Sequence, residues 1–139
     1  MFKLYECKAN LHSTKFAIVA CGCGIILTVL GLILPWISVG GPPPPRGIPS
    51  SPTIVWSIQT STGFLGIIGL LTSIIGFYLS LHKIIKHASI ISIVGGLLTI
   101  FSVHDALSKC SLMMMPEIGI FVTMIGGILV TIAAMLSIH

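Results

Sequence analysis

Residues 63–81 read Gly63-Phe64-Leu65-Gly66-Ile67-Ile68-Gly69-Leu70-Leu71-Thr72-Ser73-Ile74-Ile75-Gly76-Phe77-Tyr78-Leu79-Ser80-Leu81, nineteen residues without a charge. A helix of this length rises far enough, at about 1.5 Å per residue, to cross roughly 30 Å of hydrocarbon. Its small residues, Gly63, Gly66, Gly69, Ser73 and Gly76, recur every three or four positions and share one stripe of the helix. The stretch therefore predicts both a membrane span and the face by which it packs. Either hydroxyl of the preceding Ser61-Thr62 pair is suited to cap its first turn.

Three further apolar runs flank this one. The first extends from Phe16 to Ser38, with Pro35 and Trp36 at its far end; the third runs from Ala88 to Leu107, and the fourth from Pro116 to Ile138. Proline suits a first helical position, and Glu117 behind it meets the positive end of the helix dipole. With 55% hydrophobic and 7% charged residues, and a mean hydropathy of +1.11, the chain cannot surround an ordinary core with a polar surface. The predicted fold is an all-α integral membrane four-helix bundle forming a single domain over 1–139, with spans near 16–38, 63–81, 88–107 and 116–138. Only five apolar residues lead from Phe16 to Cys21 in the lipoprotein-like Ile18-Val19-Ala20-Cys21, fewer than the roughly seven of a signal core, so neither that cleavage nor a secretory signal is expected.

Lys3, Lys8 and Lys15 precede the first run, and Lys83 and Lys86 lie between the second and third; Arg46 and Lys109 are the basic residues of the other side. This asymmetry predicts a multi-pass cell-membrane protein with both termini cytoplasmic. Aromatic belts are expected to agree, with Trp36, Trp56, Phe64, Phe101 and Phe121 at the outer surface and Phe16, Phe77 and Tyr78 at the inner one. The outer loop is Val39 to Ser61. Within it, Pro42, Pro43, Pro44, Pro45 and Arg46 predict an extended stretch, read either as a stiff connector or as a docking site that includes Trp56. Thr53 to Ile58 is β-prone and pairs in the prediction with Ile37-Ser38-Val39 as a short hairpin.

The acidic residues are Glu6, Asp105 and Glu117, held at the two surfaces. Ionisable groups inside a membrane usually mark ion paths, proton relays or bound cofactors, and none is predicted here. The expected helix contacts run through Gly24 and Gly31 in the first span, Gly66, Gly69 and Gly76 in the second, Gly95 and Gly96 in the third, and Gly119, Gly126 and Gly127 in the fourth. In lipid, helices associate through such close approaches and through hydroxyl hydrogen bonds. Ile93-Val94-Gly95-Gly96-Leu97-Leu98 also matches Met124-Ile125-Gly126-Gly127-Ile128-Leu129, a weak internal repeat.

Pro35-Trp36 closing the first span, with Gly126-Gly127 in a glycine-rich later span, resembles small four-span membrane proteins of archaea and bacteria. The resemblance implies the four-span topology and, because its members are mostly uncharacterised, little about activity. Vertebrate tight-junction proteins also have four spans and an extended first outer loop, but their Trp-Gly-Leu-Trp and paired cysteines are absent here, so that function is not carried over.

The chemistry expected of this chain is sparse. Cys7, Cys21, Cys23 and Cys110 make no disulfide framework, and the histidines His12, His82, His87, His104 and His139 sit at or beyond span ends, away from where a bundle haem needs them. No nucleophile with a positioned base and no phosphate-cradling motif is present. The basic residues do not form the patch that nucleic acid requires. One metal hypothesis remains: His104, Cys110, Met113, Met114 and Met115 gather soft donors suited to Cu(I) in the turn between spans three and four. Otherwise no cofactor is expected. The leading reading is a non-catalytic accessory subunit packed against other integral membrane subunits, with respiratory and oxygenase complexes as candidate settings. The alternatives are a self-associating envelope or adhesion protein, which would be a homo-oligomer, and a copper-handling protein using the outer turn. A channel is disfavoured because the spans offer only Ser, Thr and Cys to line it.

Overall fold

The computed structural model describes residues 2–40, 53–82, 87–110 and 114–138. They form helices α1 (Phe2–Ile33), α2 (Ser61–Leu81), α3 (Ala88–Ser108) and α4 (Ile118–Leu136), and short strands β1 (Pro35–Val39), β2 (Thr53–Trp56) and β3 (Met114–Pro116). All four helices are long and apolar enough to cross a membrane, α1 through its Lys15–Ile33 portion. Around the bundle the order is α1, α4, α3, α2. The α1–α4 and α2–α3 pairs are the most extensive, α3 also packs along α4, and α1 touches α2 only lightly.

The chain departs from its sequence reading at several ends. The first span starts where expected, its apolar portion being Lys15–Ile33, although the helix itself extends back to Phe2. It stops at Ile33 rather than Ser38 because Pro35 disfavours helical backbone at Leu34 and the β-branched Ile37 and Val39 take up a strand instead. Helix α4 begins at Ile118, with Glu117 at its N-cap and Pro116 ending β3. Helix α2 is capped by Thr60 rather than by Ser61 or Thr62: the Thr60 hydroxyl accepts from the Gly63 amide at 2.9 Å. Thr60→Ala is expected to cost about 1 kcal/mol, read as a lower unfolding midpoint in detergent micelles. The proline-rich segment from Pro42 to Pro45, with Arg46, lies outside the described residues.

The expected hairpin is part of a three-stranded antiparallel sheet of order β2-β1-β3. Strand β1 pairs with β2 through Ile37–Val55, Ser38–Ile54 and Val39–Thr53, and with β3 through Ile37–Pro116, Ser38–Met115 and Val39–Met114. The sheet thus ties the α1–α2 connection to the α3–α4 connection at one end of the bundle. Pro116 gives β3 a residue with no amide to offer, and the Gln59 side chain accepts from the Trp56 amide at 3.2 Å. Both features blunt the edges of the sheet.

Trp36 does not join an outer aromatic belt; it is 0% exposed. The ladder shifts register between Pro35 and Ile37, and such a bulge re-aims the side chain it carries. The indole turns into the bundle among Leu32, Ile37, Val103, Ala106 and Ile120. There its Nε1 donates to the Gly31 carbonyl at 2.9 Å, and the Ser57 hydroxyl donates to the Leu32 carbonyl at 2.6 Å. The last carbonyls of a helix have no partner within it, so these two side chains, Trp36 from β1 and Ser57 from the 3-10 turn Ser57–Gln59 that follows β2, close the C-terminus of α1.

Candidate interaction surface

The interior of the bundle is built from small residues. The buried positions of α2 are Thr62, Gly63, Gly66, Gly69, Ser73 and Gly76, and those of α3 include Ser92, Gly95, Gly96, Thr99 and Ser102. A methyl group added to Gly69 would lie 2.7 Å from Thr99 Oγ1 and 2.8 Å from the Gly95 carbonyl oxygen; one added to Gly95 would run into Ser73 and lie 2.7 Å from the Gly69 carbonyl oxygen. The contact is reciprocal. Helices α1 and α4 repeat it, since a Gly126 methyl would run into Thr28, and Gly24 and Gly126 each leave less than van der Waals space for a methyl against the other's carbonyl. Gly31 meets Thr123 in the same way, Gly66 meets Ser102, Gly76 meets Ser92, and Gly119 meets the backbone at the end of α1.

The two Gly-Gly pairs divide their work. Gly95 faces α2 and Gly126 faces α1, while Gly96 and Gly127 face each other across the α3–α4 contact. The similarity between these two stretches of sequence thus corresponds to equivalent packing roles.

Five buried hydroxyls of the helices do not reach across to a neighbour as the sequence suggested. They return their protons to the carbonyl one turn back: Thr28 to Gly24, Ser73 to Gly69, Thr99 to Gly95, Thr123 to Gly119 and Thr131 to Gly127, at 2.8 to 3.0 Å. Four residues separate glycine from hydroxyl in every case. The spacing is present in the sequence, but spacing alone does not disclose the pairing. The glycine lets the neighbouring backbone approach, and the hydroxyl one turn on satisfies itself locally, so a polar atom is buried without a donor left over. Among the described residues no buried side-chain nitrogen or oxygen lacks a partner.

The outside is the reverse. Phe16, Val19, Ile26, Phe64, Leu71, Ile75, Ile90, Leu97, Phe101, Ile125 and Ile132 all point away from the bundle. Asp105 and Lys109 form an exposed ion pair four residues apart at the end of α3, with Nζ 2.6 Å from Oδ2. Water screens such a pair, so Asp105→Asn is expected to shift stability by less than about 0.5 kcal/mol in the same micelle assay.

The sheet end presents a different surface. Residues opposite one another in an antiparallel ladder share a face, and Ile54, Ser38 and Met115 form one row. That row faces away from the core: Ile54 is 49% exposed, Met115 69%, and Trp56 beside them 44%. The alternate positions Ile37, Val39, Val55 and Met114 pack on the Trp36 cluster. Of the soft-donor residues, Cys110 and Met114 lie half-buried against that same cluster, and the Cys110 thiol donates to the Ala106 carbonyl at 3.5 Å. His104 is exposed on the outward face of α3, and Met113 lies outside the described residues. Among the described residues there is no group of three or more His, Cys, Asp or Glu placed to hold a metal. Cys21 is buried and Cys23 exposed, on different sides of α1. Comparison of this chain with protein-family models, with curated proteins and with solved structures found no match.

Proposed function

We propose that this chain is a non-catalytic accessory subunit of a larger integral membrane complex, lying in the cell membrane with both termini on the cytoplasmic side and acting by contact. Insertion is supported by four helices whose small and hydroxyl residues are inside and whose large apolar residues are outside, the arrangement that suits lipid as a solvent. The orientation rests on Lys3, Lys8, Lys15, Lys83 and Lys86 facing Arg46 and Lys109 across the span pattern.

The observation that carries the contact reading is the outer face of the sheet. Helices of 19 to 21 residues use up about 30 Å of hydrocarbon. The strands beyond the helix ends therefore stand in the interfacial layer, where acyl chains do not cover Ile54, Trp56 and Met115. Apolar side chains grouped at such a level fit the buried core of a protein contact. The experiment is a photo-cross-linking amino acid at position 54 or 115 in native membranes. A cross-link to one different membrane chain, from both positions, is the expected result. Cross-links only between copies of this chain would favour the self-associating envelope reading, and none from either position would remove the surface from consideration.

A further inference from the structure

No further inference is drawn: the strongest candidate, the shallow apolar face of α3 lined by Val94, Leu97, Leu98, Phe101 and His104, is an unpartnered surface, and nothing in the structure shows what covers it.

Discussion

Replacing Gly95 by leucine is expected to destroy the bundle, while the same replacement at Gly22 leaves it standing. A single added carbon at Gly95 already meets Ser73 and the Gly69 carbonyl of α2. Much of this is backbone, which has no alternative rotamer to retreat into. Overpacking against side chains that can yield costs about 1–3 kcal/mol; here the helix itself must move, and the expected cost is at or above the top of that range. Moving α2 away from α3 would also separate Gly69 from Thr99, so the damage spreads along the whole contact. At Gly22 an added carbon meets nothing within 4 Å. Gly22→Leu should therefore stay within about 0.5 kcal/mol of the parent chain. Unfolding by denaturing detergent in mixed micelles, followed by helical circular dichroism, separates the two. Equal loss at both positions would mean that the close approach of α2 and α3 is not what holds the fold.

Trp36→Ala has the second-largest expected effect, about 3–5 kcal/mol. The indole is the largest fully buried side chain among the described residues, and its removal leaves a cavity where α1, α3, α4 and the sheet meet. It also deprives the Gly31 carbonyl of its donor. Trp36→Phe keeps most of the packing and removes only the hydrogen bond, so it should cost about 1–2 kcal/mol. The same unfolding titration distinguishes these cases. If Phe were as damaging as Ala, the cap on α1 rather than the packing of the ring would be the dominant contribution.

The four helices are legible in the sequence because each apolar run is long, carries no charge except Asp105 and Glu117 near the ends of the third and fourth, and has its small residues at helical spacing. Their ends are less legible, for a common reason. Hydropathy does not separate helix from strand, and Pro35 to Val39 is as apolar as the helix before it. Phe2 to Thr14 is polar enough to look like a tail, yet the helix runs through it, since a backbone ladder does not require an apolar face. Strand β3 is three residues long and has no local signal; it exists because Ser38 and Met115, 77 positions apart in the chain, are brought side by side by the helices. By residue type Trp36 is an interfacial aromatic, and only the ladder's shift in register turns it inward.

The candidate surface was half legible for the same reason. Trp56 stood out as an aromatic in an outer loop, but its neighbours Ile54 and Met115 come from different connections and share a face only through β1. The glycine stripes could be read from spacing alone. What spacing did not disclose is that each buried threonine or serine at the fourth position after a glycine closes its hydrogen bond on its own helix. That leaves the bundle contacts mostly to shape rather than to polar bridges; among the described residues, Ser89 and Ser137 meet at 2.7 Å at an exposed end of α3 and α4 as a side-chain pair that crosses between helices.

The most direct measurement is the mass and composition of the particle obtained when this chain is purified from its native membrane in a mild detergent, alongside an Ile54→Asp, Met115→Asp variant. The contact reading predicts a particle well above the chain's own 14.7 kDa, containing other membrane chains at fixed ratio, and their loss from a variant whose helices remain folded. A chain that runs alone, with the parent and the variant indistinguishable, would contradict it.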